Sequence, residues 1–394
     1  MIVDLCKTGL CTGCSACANA CPEQCIQMAA DAEGFLRPKI DSSQCVVCGT
    51  CQNVCPVLHP KAHSHETVAY AAVHKDDAIR LESTSGGVFS LLCQWVLDHG
   101  GIVFGAAYAD DFSVAHGCVE KASDLSKLRT AKYAQSAIGD SYRRAKTFLE
   151  QGRYVLFSGT PCQIGGLRMF LGKDYGRLLT VDLICHGVPS PAVWEHYIQY
   201  RGEQDAQGER PTSINLRSKE SGWAGYSIRF DYAGGQTYRM PNSQDPYLRC
   251  FVKDLCLRPS CYACSFKGID RCSDFTLGDY WGVWSQLPEL DDNQGTSIVL
   301  LHSEKAKRIW PELLSGMKAV QVDADQCFSE NPSALYSATE PDDRQMFLSR
   351  YQSEDFSDLA DELAPIPIPP KPQTSVTSIL HRAAHKIKRM LGIQ

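Results

Sequence analysis

The spacing of apolar positions divides the chain. From about residue 66 onward, short apolar runs alternate with segments of helical spacing, whereas within the first 60 residues 26–40 reads as a short hairpin and connector. Residues 68–73, 102–107, 154–157, 178–184 and 297–301 are compact apolar runs that predict strands. Between them, Phe89, Leu92, Trp95 and Val96 predict a helix after Ser85-Gly86-Gly87, and residues 141–151 predict a more polar one. Pro191 suits the first turn of a helix carrying Val193, Trp194 and Tyr197, and residues 304–314 predict a further helix. Residues 214–216, 226–230 and 237–238 read as short antiparallel strands around a glycine-rich turn. Beyond the proline-rich run 365–372, Val376, Ile379, Leu380, Ala383, Ile387 and Leu391 recur at helical spacing among Arg382, Lys386, Lys388 and Arg389, which predicts a basic amphipathic helix.

Strands that alternate with helices imply a sheet covered by helices, with ligands beyond the carboxyl ends of the strands. The expected organisation is α+β. A module over 1–60 precedes an α/β core in two parts, 66–205 and 206–335, with a small mixed subdomain. A linker over 336–373 and the amphipathic helix over 374–392 follow.

The first module carries Cys11-x2-Cys14-x2-Cys17-x3-Cys21-Pro22 and the same spacing again at Cys45, Cys48, Cys51 and Cys55-Pro56. This is the bacterial two-cluster ferredoxin spacing, in which the fourth cysteine of each run ligates the other cluster. The expected sets are Cys11, Cys14, Cys17 and Cys55 around one [4Fe-4S] cluster, and Cys45, Cys48, Cys51 and Cys21 around the second.

Composition narrows the classes. A chain of 394 residues, 44% hydrophobic, is long enough for two or three domains. Its formal charge of −6 gives no support to nucleic-acid binding. No apolar run reaches membrane-spanning length, and cysteines clustered as Cys-x2-Cys without a recognisable signal peptide point to metal in a reducing cytoplasm. The basic tail would at most rest on the inner face of a membrane or dock on a protein.

Cys256-x4-Cys261-x2-Cys264 forms another group, with Cys185 as its expected distant fourth ligand, Cys250 and Cys272 as substitutes, and zinc as the alternative to a third [4Fe-4S] cluster. Cys6, Cys25, Cys93, Cys118 and Cys327 read as ordinary thiols. Clusters move single electrons, while most organic reductions need pairs, and a flavin reconciles the two. Its expected pocket comprises Ser85, Gly86, Gly87, Lys132, Tyr133, the loop Gly159–Gln163 and Asp279. His186 is the candidate proton donor, because imidazole titrates near neutrality.

Together, Glu82–Gly87, Ala131–Ser136, Phe157–Arg168, Asp182–Pro191, Leu257–Cys264 and Ser273–Trp281 resemble the coenzyme F420 hydrogenase/dehydrogenase beta-subunit family, preceded by a 4Fe-4S dicluster domain. The resemblance implies FAD in the core, held by Ser85, Gly86, Gly87, Lys132, Tyr133, Ser136, Gly159, Thr160, Cys162 and Gln163. It also implies a proximal cluster on Cys185, Cys256, Cys261 and Cys264. Thr130-Ala131-Lys132-Tyr133 stands where the family has Gly-Ser-Lys-Tyr. The implied function is an FAD-dependent iron-sulfur oxidoreductase that passes electrons between a ferredoxin or partner redox subunit and coenzyme F420 or another organic substrate, as a monomer or a homodimer. The alternatives are a noncatalytic electron-transfer subunit and an iron-sulfur redox sensor.

Overall fold

The computed structural model describes residues 9–60 and 66–366; the predicted tail helix, 374–392, lies outside them. The N-terminal module contains the hairpin β1 (Ile26–Ala30) and β2 (Leu36–Ile40), paired antiparallel, between two short helices at Ala16–Ala20 and Thr50–Asn53.

The core is an eight-stranded mixed sheet. Its strands are β3 (Val68–His74), β4 (Ile102–Tyr108), β5 (Val114–Val119), β6 (Val155–Ser158), β7 (Leu178–Leu183), β11 (Phe275–Asp279), β12 (Ser297–Leu301) and β13 (Met317–Val322). They lie in the order β13-β3-β12-β11-β7-β6-β4-β5. The four central strands β4, β6, β7 and β11 are parallel, and antiparallel partners flank them on both sides. β3 opposes β12, which opposes β11, so β3 runs in the direction of the parallel set.

The period of two sorts the central side chains between the faces. Ile102, Phe104, Val155 and Phe157 pack with the helices Ser141–Glu150 and Pro161–Leu171, while Val103 and Leu156 pack with the helices Val88–Asp98 and Glu304–Leu313. Burial on both faces explains why these strands read as continuous apolar runs.

The antiparallel strands β8 (Ser213–Ser218), β9 (Ser227–Asp231) and β10 (Thr237–Pro241) form a separate sheet in the order β10-β9-β8. It packs through Ile228 and Phe230 on an aromatic core with Trp194, Tyr197, Tyr247 and Phe356. The main sheet draws strands from both sides of residue 205, because β3 pairs with β12 and β13. Among the described residues no helix is long and apolar enough to cross a membrane.

The expected linker is corrected in its first part. Residues 344–350 and 356–363 are helical, and Phe347, Phe356, Leu359 and Ala360 are buried in the aromatic core. The apolar anchors are scattered over two short helices and their flanks, so the proline run downstream dominated the sequence pattern. Arg344 is 1% exposed and fastens this segment to the N-terminal module. Its guanidinium donates to both Glu33 oxygens, at 3.0 and 2.5 Å, and to Leu257 O at 2.9 Å. Removing one member of a largely buried pair leaves the other uncompensated. Arg344→Leu is therefore expected to cost about 2–3 kcal/mol in chemical denaturation, the partial exposure of Glu33 reducing the full penalty; a loss below about 0.5 kcal/mol, the range of ordinary surface changes, would contradict this role.

Candidate functional site

The glycine loops and charged residues singled out by the sequence meet at the carboxyl edge of the parallel strands. β3 ends near Gly86 and Gly87, β6 at Gly159, β7 at Cys185 and β11 at Asp279. Neighbouring strands stand about 4.8 Å apart, so the ends of β11, β7 and β6 follow one another within roughly 10 Å.

At the β3 end, Ser85 Oγ donates to Thr296 O at 2.8 Å and Gly86 N donates to Ser297 Oγ at 2.9 Å. A Cβ on Gly86 would lie 2.3 Å from Ala72 O, so only glycine lets this loop press against the sheet. Asp279 closes the neighbouring end. Its carboxylate accepts from Arg217 Nη2 at 2.9 Å and from Trp223 Nε1 at 3.0 Å. Arg217 also lies over the Tyr226 ring at 4.0 Å, approaches Tyr133 OH at 3.5 Å and donates to Thr84 O at 3.3 Å. It thereby links three predicted segments. Trp281 stacks on Trp223 at 4.6 Å beside this pair.

Two lysines, the buried Lys219 and the half-buried Lys132, bind backbone instead of facing open solvent. Lys132 Nζ donates to the carbonyls of Lys127, Arg129 and Thr130, and Lys219 Nζ to those of Arg80, Ser85 and Gln294. Burial lowers both ammonium groups to about 7.

The second cluster of predicted residues surrounds the Gly159 turn. Gly159 N donates to Val181 O at 3.0 Å, and Thr160 N donates to Gln163 Oε1 at 2.9 Å at the start of the following helix. Gln163 Nε2 reaches Ser136 O at 3.3 Å. His116 joins Ser136 Oγ, 2.7 Å from Nδ1, to Ser158 O, 3.0 Å from Nε2, and stacks on Phe157 at 5.3 Å. A neutral ring that donates from Nε2 to the Ser158 carbonyl and accepts the Ser136 hydroxyl at Nδ1 satisfies both bonds.

Sequence reasoning missed His116, Arg217 and Lys219. The readable signal was charge in or beside strand runs: His116 interrupts residues 114–119, Arg217 lies in β8, and Lys219 directly follows it.

The cysteines fall into three surroundings. Cys11, Cys14, Cys17 and Cys55 line one cavity in the N-terminal module. Of the other set, Cys48 is exposed, Cys45 and Cys51 are partly buried, and Cys21 Sγ lies 3.4 Å from Cys25 Sγ. A third cavity is lined by Cys162, Cys185, Cys261 and Cys264 together with Thr12, His186, Arg258 and Lys267. Burial, and then mutual repulsion among these sulfurs, raises Cys162 to about 12; burial raises Cys261 to about 11. Cys256 is absent from this group. It is fully buried in the aromatic core near Tyr247, and its place beside Cys185 is taken by Cys162. His186 borders the cavity, with Nε2 2.6 Å from Asp254 Oδ1 and Nδ1 3.2 Å from Ser333 Oγ.

Among the described residues, no group of three or more His, Cys, Asp or Glu side chains stands in a geometry that would hold a metal ion. This corrects the expected complement of two [4Fe-4S] clusters, a third cluster and FAD. Cavity-lining sulfurs are neighbours without converging on a common centre. The flavin loses with them the argument from converting single electrons into hydride, which leaves only the resemblance behind it.

Burial lowers His116 to about 4. The unfolded chain binds this proton from about pH 6.5 downward and the folded chain only near pH 4, so the contribution of His116 to stability is present above pH 6.5 and is lost as pH falls through that window. The wild type is expected to lose on the order of 3 kcal/mol relative to His116→Gln between these limits. Denaturation of both proteins across this range checks it; parallel curves would contradict a buried neutral imidazole.

Residues 152–325 match the family described as the C terminus of the coenzyme F420 hydrogenase/dehydrogenase beta subunit, and residues 10–58 match the 4Fe-4S dicluster domain. A coenzyme F420-dependent sulfite reductase of Methanocaldococcus jannaschii is 28% identical over 195 residues, which span 47% of this chain and 29% of that protein. A chain of the F420-reducing [NiFe] hydrogenase complex from Methanosarcina barkeri aligns with 16% identity and a TM-score of 0.44, over 78% of this chain and 91% of that one. The chain is therefore similar to the F420 hydrogenase/dehydrogenase beta-subunit family over residues 152–325 and to a 4Fe-4S dicluster domain over residues 10–58, and it spans less than a third of the length of the curated relative it matches.

Proposed function

We propose that this protein is an oxidoreductase that exchanges electrons between a partner redox protein and coenzyme F420 or another organic substrate. The N-terminal module docks the redox partner, and the substrate lies along the carboxyl edge of the sheet. The observation that carries this reading is the continuity of the two regions. Thr12 of the N-terminal module lines the same cavity as Cys162, Cys185, Cys261 and Cys264, at the edge where Gly159 and Asp279 also end their strands.

In this reading Ser85, Gly86, Gly87, Tyr133, Ser136, Gly159, Thr160, Gln163 and Asp279 form the substrate cleft. Arg217 supplies a cation whose position is fixed by Asp279 and Tyr226. Such a cleft favours a substrate with negatively charged groups. His186, held by Asp254 and opening on the cysteine cavity, supplies or removes the proton that accompanies electron transfer. A thiol-rich protein of this kind suits a reducing cytoplasm.

The test uses the purified full chain with a chemical reductant and coenzyme F420, followed by loss of the F420 absorbance, and then other organic acceptors. Reductant-dependent bleaching that requires the protein is expected. Arg217→Gln should lower kcat/KM at least about tenfold, equivalent to about 1.4 kcal/mol of transition-state stabilisation. Folded protein that reduces no organic acceptor, or an Arg217→Gln variant as active as the wild type, would overturn the assignment.

A further inference from the structure

The β3 end of the carboxyl edge is closed by a clasp that joins three parts of the chain. Arg80, 4% exposed in the last turn of the helix Asp77–Leu81, donates through Nε to Gly295 O at 2.9 Å and through both Nη atoms to Asp292, each at 2.6 Å. Ser85 Oγ and Gly86 N add bonds to Thr296 and Ser297, so the turn 80–87 lies against the entry to β12. Lys219 reaches into this clasp from the three-stranded sheet, just past the end of β8.

Lys219 is 6% exposed, and its Nζ stands 2.8 Å from Arg80 O, 2.6 Å from Ser85 O and 2.7 Å from Gln294 O. An ammonium has three N–H donors and no acceptor, and three carbonyls accept from it here. Other side chains do not reproduce this match: a planar guanidinium spreads its donors in a fork, and a side-chain amide brings an acceptor along with its two donors. Backbone oxygens that converge on one charge at such distances are also the means by which proteins hold bare monovalent cations. The charged groups near Lys219, namely Asp279, Arg217, Arg80 and Asp292, are closed into two ion pairs, so the carbonyls are its direct partners.

We propose that Lys219 is a positioning residue whose ammonium serves as a tethered monovalent cation, setting the turn 80–87 and with it one wall of the substrate cleft. Its effect on substrate rests on the cleft proposed above; its hold on the turn does not. Removing the side chain leaves a three-carbonyl site that a small free cation can fill.

Amide hydrogen exchange of the full chain, wild type and Lys219→Ala, in ammonium, potassium and choline chloride at equal ionic strength tests the proposal. In choline, which is too bulky for the site, amides of residues 82–87 are expected to exchange at least about tenfold faster in Lys219→Ala than in the wild type, while β6 and β7 keep their protection. Ammonium or potassium should restore most of that protection. Lys219→Met keeps the buried stem and blocks the site, so it should show the same loosening without rescue, and it gives the answer if Lys219→Ala does not fold. With an organic acceptor that the wild type reduces, Lys219→Ala should raise KM at least about tenfold with a smaller change in kcat, reversed by ammonium. A wild type that reduces no acceptor would count against the cleft, while the exchange result would still decide the role of Lys219. A lysine that only adds stability would loosen the chain throughout and would not respond to the identity of the cation. Unchanged exchange over 82–87 in the folded variants, or loosening in Lys219→Ala that all three salts leave alike, would overturn the proposal.

Discussion

The arrangement depends on one buried cation. Arg258 is 1% exposed, lies over the Phe35 ring at 5.0 Å, and donates to three carbonyl oxygens: Cys11 O at 2.9 Å, Leu36 O at 2.7 Å and the Gln135 side chain at 2.9 Å. Two of these acceptors belong to the N-terminal module, and Gln135 belongs to the core. Taking a guanidinium out of water is expensive, and neutral carbonyls return only part of that cost, so the interaction persists because the packing on both sides fixes it. Gly13, at φ +68°, shows how tight the junction is, since a Cβ there would stand 2.6 Å from both Arg258 Nη2 and Gln135 Nε2.

From that junction the functional geometry follows. Arg258 also lines the cavity of Cys162, Cys185, Cys261 and Cys264, so the contact that joins module to core borders the thiol-rich end of the carboxyl edge. Burial destabilises its own charge. Farther along the edge, Arg217 and Asp279 repeat the same device, a cation held by an aromatic face and a fixed acceptor. The sheet itself contributes direction: the parallel set β4, β6, β7 and β11, with β3 running the same way, brings five carboxyl ends to one side.

Much of this was legible in the chain and some was not. Central strands such as Val155–Ser158 and Ser297–Leu301 were readable because burial on both faces makes every position apolar. One member of the cysteine cavity was misread: spacing groups Cys256 with Cys261 and Cys264, but spacing does not reveal which way an extended segment turns a side chain, and Cys256 turns into the aromatic core while Cys162 lines the cavity. Arg217 and Lys219 escaped notice because a charge in a short strand ordinarily faces solvent, and only tertiary contacts to Asp279, Thr84, Ser85 and Gln294 bury them. The ferredoxin spacing matched in sequence, yet metal-holding convergence is a property of side-chain placement, which spacing alone does not determine.

The measurement closest to the central claim, that module and core act as one redox unit through this junction, is the rate of electron delivery from a reduced ferredoxin to an organic acceptor in wild-type protein and in Arg258→Met. The account predicts a fall of at least about tenfold, more than 1.4 kcal/mol, in a variant whose core remains folded by circular dichroism. An unchanged rate in that folded variant would contradict it.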